Sequence, residues 1–269
     1  MTSLDLARIE SGLDATTRSL LTDLEVFDTI GSTNTYLAGA PAPPPGKLRV
    51  AIADEQTAGR GRHNREWVSE RGSGLYESLA YTVAAPRSDL SALTLALGVG
   101  VLDALASVGI DDVMLKWPND LVANDAKLGG LLAETRVRGD EMLVVAGIGI
   151  NVTLPARTRR LASSSWANGA IALADIAATV PGRNDLAAAV TNSVAGVFGE
   201  FVTNGLTAFI DRWRDVDWLR GRSVRVESAA HALEGVATGI DAGGALLLRT
   251  ASGTLPVTAG TVTVLGGML

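Results

Sequence analysis

The run at 142–152, M-L-V-V-A-G-I-G-I-N-V, constrains the fold more than any other stretch of the chain. It is apolar at almost every position, so neither of its alternating faces suits water. That predicts a strand near the middle of a sheet, with other elements packed on both sides. Gly147 and Gly149 interrupt the run. A strand glycine marks a bulge or a place where another group comes close to the backbone. The two glycines offer a bare surface on which a planar ring can lie. Asn151 follows them with a donor and an acceptor.

The rest of the chain supplies neighbours for this strand. Apolar runs at 48–53 and 75–83 read as strands, as does 113–117, which Pro118 stops. Residues 121–123 and 127–137 read as a hairpin about Ala123-Asn124-Asp125-Ala126. Helical spacing predicts one or two helices within 4–24. A short strand at 25–30 and a helix over 35–39, capped by Ser32 or Thr33, follow. The stretch 41–46, P-A-P-P-P-G, is a stiff connector. The segment 90–108 predicts a core helix; its part from 93 carries Asp103 and two glycines, and is expected to be too short and broken to cross a bilayer. Further helices are expected at 170–179, 186–203 and 206–215. Past Trp218 the pattern turns to short strands at 223–227, 232–240, 245–249, 255–257 and 262–265. This tail has the size of an SH3-like β-barrel. Hairpins mixed with helices make the larger part α+β rather than doubly wound. The expected division is 1–217, opening with a helical segment at 1–24, and a C-terminal barrel at 218–269.

Composition removes several function classes. The net charge of −6 and a pI of about 5.0 do not suit a protein that grips nucleic acid by a basic face. No cysteine is present, which excludes disulfides, thiolate metal sites and cysteine nucleophiles. With only His63 and His231, a histidine-rich metal centre is not expected. The N-terminus lacks a basic region followed by an apolar core, so a cytoplasmic protein is expected, with no membrane and no DNA as partners.

Five patches carry polar chemistry. Gly31-Ser32-Thr33-Asn34 joins a strand to a helix, where small polar groups hold a compact ligand or simply cap the helix. The loop from Asp54 to Trp67 contains Gln56 and then Gly59-Arg60-Gly61-Arg62. Glycine frees the backbone to take positive φ, and arginine forks suit carboxylates and phosphates. The loop matches neither a Walker A loop nor G-x-G-x-x-G. Alone it reads equally as a solvated surface loop. Lys116-Trp117-Pro118-Asn119-Asp120 places an amide and a carboxylate at a strand end, as a turn or as ligands. Lys127 opens an apolar strand next to Gly129 and Gly130. Gly147-Ile148-Gly149-Ile150-Asn151 is the fifth.

In this order the patches resemble the biotin protein ligases. The resemblance rests on G-S-T-N at 31–34, E-Q-T-A-G-R-G-R at 55–62 with Trp67, K-W-P-N-D at 116–120, K-L-G-G-L-L-A-E at 127–134 and G-I-G-I-N-V at 147–152. It covers roughly 25–153, and the tail fits the family's small barrel in size and position. It implies a mixed-sheet catalytic domain of the biotin/lipoate ligase type. It also implies a two-step reaction in which biotin and ATP, with Mg²⁺, give biotinyl-5′-adenylate, and a lysine of a biotin carboxyl carrier domain then takes the biotin.

Carried over by position, Lys127, Arg62 and Asp120 are the catalytic candidates. Ser32, Thr33, Asn34, Gln56, Arg60, Gly61, Arg62 and Lys127 are the biotin-binding ones. Arg60, Arg62, Trp67, Asn119, Lys127 and Asn151 face the nucleotide, and Asp120 is the candidate for Mg²⁺. The attack brings two anions together, and cations must offset their repulsion. A loop that closes over the acyl-adenylate would exclude water from it. Two departures stand out. Ala170-Ile171-Ala172-Leu173 lacks the hydroxyls of the family's A-T-S-L, and Ser73 replaces a common asparagine. The winged-helix domain of the family's repressors is absent from the sequence, so no operator binding is expected. The oligomeric state stays open, as do a lipoate–protein ligase and a noncatalytic biotin- or nucleotide-binding regulator as alternatives.

Overall fold

A computed structural model describes residues 3–155, 158, 169–228 and 232–265. Its centre is a seven-stranded mixed sheet. The strands are β1 (Leu21–Phe27), β2 (Leu48–Ala53), β3 (Gly74–Val83), β4 (Met114–Lys116), β5 (Asp120–Ala123), β6 (Ala126–Arg138) and β7 (Glu141–Asn151). Their spatial order is β1-β2-β3-β7-β6-β5-β4. The run that reads as a central strand is therefore fourth of seven. It pairs antiparallel with β3 and β6 along its length, without a bulge at either glycine. The β1–β2 pair is parallel and the others are antiparallel.

The helices are α1 (Leu6–Gly12), α2 (Ala15–Leu20), α3 (Thr33–Gly39), α4 (Leu93–Ser107), α5 (Leu173–Ile176), α6 (Arg183–Asn204) and α7 (Ile210–Val216). Alternation along β7 sorts the two faces. Val144, Ala146, Ile148 and Ile150 join the large core beneath α4 and α6. Leu143 and Val145 join a small cluster under α3 with Leu37, Ala38, Ala51 and Ala80. Gly147 and Gly149 lie on this second face, Gly147 against Asn34 in the first turn of α3 and Gly149 past the end of that helix. One face is thus fully covered, and the other is left open at one end. α1 and α2 pack on α6, where Asn184 accepts from Asp5 N at 2.9 Å and Asn192 accepts from Asp14 N at 3.0 Å.

The tail forms a separate five-stranded antiparallel sheet from β8 (Ser223–Glu227), β9 (Ala232–Ile240), β10 (Leu246–Thr250), β11 (Gly253–Val257) and β12 (Thr261–Val264), in the order β11-β10-β9-β8-β12. The α+β class and the small β unit stand as expected. Three local expectations do not. Leu20, Leu21 and Leu24 have helical spacing, yet 21–27 is a strand because pairing with Leu48–Ala53 outweighs local pattern. The helix expected over 170–179 shrinks to Leu173–Ile176, because Ala170 pairs beside Lys127 and Ile171 N donates to Lys127 O at 3.0 Å. The core helix expected over 90–108 is α-helical at Leu93–Ser107, yet the helical stretch is not too short to cross a bilayer. A 3₁₀ turn at Ser88–Ala92 runs into α4, and the 20 residues from Ser88 to Ser107 are together long and apolar enough, by length and composition, to cross a bilayer; Arg183–Asn204 also passes that test. Both are core helices, with 67% and 56% of their apolar windows buried inside the fold. The loop expected at 155–169 lies largely outside the described residues.

Candidate active site

The open end of the sheet is the floor of a cavity of about 1620 Å³. It extends from Ser32, Thr33 and Asn34 at the start of α3 to Arg220, Arg222 and Thr261–Val264 of the small β unit. Every residue expected to bind biotin, nucleotide or Mg²⁺ lines it: Ser32, Thr33, Asn34, Gln56, Arg60, Gly61, Arg62, Trp67, Asn119, Asp120, Lys127 and Asn151.

One end is polar, and the carboxylate it contains, Glu134, is paired with Arg60. Ser32 caps α3 and accepts from Thr35 N at 3.4 Å. The next two side chains are buried and point to the sheet. Thr33 donates to Gln56 Oε1 through its N–H at 2.9 Å and its hydroxyl at 3.1 Å. Its hydroxyl also lies 2.7 Å from Ser78 Oγ, and Ser78 Oγ donates to Asn34 Oδ1 at 2.7 Å. Asn34 Nδ2 donates onward to Glu134 Oε2 at 3.1 Å. This chain runs beside Gly147, where a Cβ would come within 2.4 Å of Asn34 Oδ1. The glycine is the space that Asn34 fills.

The glycine–arginine loop is folded over this end. Gly61 N donates to Arg65 O at 2.8 Å and Trp67 N to Gly59 O at 2.9 Å, so the loop is a narrow hairpin. The positive φ expected of its glycines falls instead on His63 and Asn64, both at 56°, while Gly61 has φ −106°. Arg60 reaches back to Glu134 at 3.0 Å. The ring expected against the strand glycines is the loop's own Trp67. A Cβ on Gly149 would meet its indole at 2.7 Å. Trp67 Nε1 is buried and has no hydrogen-bond partner among the described residues.

The other end is charged. A register shift between Leu121 and Val122 sets Lys127 opposite Val122, and such bulges re-aim side chains. Lys127 Nζ sits 2.6 Å from Asp120 Oδ1 and 5.4 Å from the centre of the Trp67 ring. Lys116, paired in register with Asp120, adds a second ammonium. Burial lowers Lys116 to about 8 against the pull of Asp120, and Lys127 pushes the same way as burial. Burial likewise lowers Arg62, and Asp120 opposes this. Arg62 Nη1 donates to Asn119 Oδ1 at 3.5 Å. Two amides brace the frame. Asn119 Nδ2 donates to Leu131 O at 2.7 Å, and Asn151 Nδ2 to Ile171 O at 3.0 Å. Ser78, Ser69, Glu134 and Lys116 were given no role by sequence reasoning, although Glu134 and Lys116 lay inside quoted motifs. Ser78, placed by cross-strand register, and Ser69, which accepts from Gln56 Nε2 at 3.0 Å, owe their roles to partners distant in the chain. Ser73, the departure before β3, bonds Tyr76 OH at 2.8 Å and lies outside this polar chain.

Comparison with known proteins agrees with this geometry. The profile of the Biotin/lipoate A/B protein ligase family matches residues 26–151, and that of the Biotin protein ligase C terminal domain matches 220–265. The chain is 34% identical over 250 residues to the bifunctional ligase/repressor BirA of Salmonella typhimurium, covering 91% of this chain and 73% of that protein. It is 33% identical over 245 residues to the biotin--[acetyl-CoA-carboxylase] ligase of Mycobacterium tuberculosis, covering 89% and 88%. The biotin protein ligase of Aquifex aeolicus, solved with biotin and ATP, superposes with a TM-score of 0.74 at 25% identity, over 91% of this chain and 100% of that one. A profile match at each end, a relative covered over most of its length and a shared fold agree, and the chain belongs to the biotin protein ligase family.

Proposed function

We propose that this enzyme activates biotin with ATP to biotinyl-5′-adenylate and transfers the biotin to a lysine of a biotin carboxyl carrier domain, in a cytoplasmic setting. The observation that carries the reading is the division of the cavity. One end is a chain of hydrogen-bonding groups in which the charges of Glu134 and Arg60 offset each other, and the other end holds Lys127, Arg62 and Lys116. A ligand that is a neutral cyclic amide at one end and a carboxylate at the other matches that division. Thr33, Asn34 and Gln56, joined by Ser78, are assigned to the ring. Trp67 Nε1 supplies a donor for a ligand acceptor, and Ser32 and Gly61 border the same space.

In the first step a carboxylate oxygen attacks the α-phosphorus, the bond to the β-phosphate oxygen breaks, and pyrophosphate leaves. Lys127 and Arg62 are assigned to the charge that builds on the phosphoryl oxygens, with Arg60 alongside. Asn119 and Asn151 border the nucleotide end, where both already brace the backbone. In the second step a carrier amine attacks the acyl carbon, the bond from that carbon to the bridging oxygen breaks, AMP leaves with that oxygen, and the amine's proton passes to water. Asp120 faces this region. It is committed to Lys127 at 2.6 Å, and no group of three His, Asp or Glu among the described residues could hold a metal. This donor set does not fit a resident Mg²⁺ ion, which would enter with the phosphates of ATP instead.

The test is isotope exchange. Mixing the protein with ATP, radiolabelled pyrophosphate and either biotin or lipoate is expected to give label in ATP only with biotin. Exchange driven by lipoate makes the protein a lipoate ligase, and no exchange with either makes it a noncatalytic binder.

A further inference from the structure

We infer that Arg183 is a positioning residue that holds the hinge of the active-site loop, and so sets how long the acyl-adenylate is retained. The inference rests on the adenylating role above. The loop leaves the sheet at Asp54, just past β2, and rejoins it at Gly72, just before β3. Asp54 grips both ends through its backbone. Its N–H donates to Phe27 O at 2.8 Å, and its carbonyl accepts from Gly72 N at 3.1 Å. Its carboxylate is buried and paired with Arg183 Nη1 at 2.5 Å, and more loosely with Arg71 Nη1 at 3.5 Å.

Arg183 is the first residue of α6, and its side chain is 3% exposed. It therefore links the helix layer on the covered face of the sheet to the stem of a loop that works on the open face. Nothing in the chemistry of the cavity needs an arginine there. A buried arginine–carboxylate pair is held for its geometry more than for its net stability. Here its geometry fixes the angle at which residues 55–71 leave the sheet. Arg71 extends the same grip outward, donating to Thr29 Oγ1 at 2.6 Å and to Glu55 Oε2 at 3.3 Å. Glu70, on the returning arm, accepts from Ser73 Oγ at 2.7 Å and from Tyr76 OH at 3.1 Å. A loosened stem leaves Lys127 and Asp120 in place, because they belong to β5 and β6. It changes how often the arms carrying Arg60, Arg62 and Trp67 stand over the ligand.

Two variants test this. Arg183→Lys keeps the charge and loses the fork, and Asp54→Asn combined with Arg183→Met removes both charges so that neither is left buried alone. In both, biotin-dependent pyrophosphate exchange is expected to lose only a few-fold in kcat, because Arg62 stands over the ligand less often while Lys127 stays in place, whereas radiolabelled adenylate leaves roughly tenfold faster in a chase. Trypsin should also cut faster at Arg60, Arg62 and Arg65, a readout that needs no turnover and stands even if the exchange assay fails for the wild type. Unchanged adenylate release and unchanged cleavage in either folded variant would overturn the assignment. So would a loss of kcat in proportion to a fall in melting temperature, which is the signature of a merely structural role.

Discussion

The two faces of the seven-stranded sheet are built from the same strands and differ in almost everything else. Beneath α4 and α6, residues such as Ile148, Ile150, Leu75 and Leu79 are buried and apolar. On the other face, one position along each strand, stand Gly147, Gly149, Ser78 and Lys127. The covered face holds the fold, and the open face holds the chemistry. Because side chains alternate along a strand, the two tasks are interleaved in sequence with no separation between them. Neighbours such as Glu77 and Ser78 belong to different problems.

Substitutions on adjacent residues can break this division or sharpen it. The largest effect is expected at Lys127→Ala, on the open face. Biotin-dependent exchange should fall by roughly 10²–10³-fold, while the melting temperature stays within a few degrees of the wild type. Near-normal exchange would remove Lys127 from the chemistry. Next comes Ile148→Ala, on the covered face, which should lose about 3 kcal/mol of stability in urea denaturation. The activity of the molecules that remain folded should hardly change. A large fall in kcat at full folding would mean that the faces are not independent.

Glu77 is the polar exception on the covered face, and burial pushes its carboxyl up to about 8. Its Oε1 lies 2.6 Å from Thr191 Oγ1, which also lies 2.9 Å from Ala187 O. One hydroxyl proton cannot serve both acceptors, so a proton on Glu77 completes the set. The folded form holds that proton more tightly than the unfolded chain, whose carboxyl titrates near 4.5. Stability is therefore highest below pH 4.5 as far as this group is concerned, and falls as pH rises to about 8. Glu77→Gln should flatten this dependence, with a gain on the order of 3 kcal/mol at pH 9 relative to pH 4. Denaturation curves across that range read it directly, and parallel profiles for variant and wild type would contradict it. The smallest effect is expected at Gly149→Ala. Its methyl group must displace the Trp67 indole, which should speed adenylate release roughly fivefold with little change in stability. An unaltered release rate would show that the indole yields without moving the loop.

Much of this was legible in the sequence, for identifiable reasons. The central strand announced itself by having no polar face. The cap of α3 could be read from Ser32, and β9 from its alternation and flanking turns. The residues that line the cavity were visible as patches because glycine, arginine and asparagine are uncommon in the interior of apolar runs. What stayed hidden depends on partners distant in the chain. Leu21–Phe27 is a strand only because β2 lies beside it. Ala170 and Ile171 are extended only because Lys127 pairs beside them, donating to Gly169 O and accepting from Ile171 N. Lys116 is buried under Trp218, with its ammonium 5.9 Å from that ring, and local sequence says nothing about that contact. Ser78 belongs to the polar chain because its register opposite Gly147 turns it to the open face.

The pairing of α4 with α6 bears on how the chain is made. α4 is complete at Ser107, while α6 ends at Asn204, about a hundred residues later. At roughly 5–20 residues per second, that is some five to twenty seconds of synthesis. During this interval a helix apolar enough to enter a lipid bilayer has left the ribosome without the partner that buries it. Asp103, the charged residue within α4 itself, waits longer still, because its partner Arg212 lies beyond α6. Until α6 is made, the apolar face that α4 packs against it has no cover, so a chain ended before α6 would keep that face exposed.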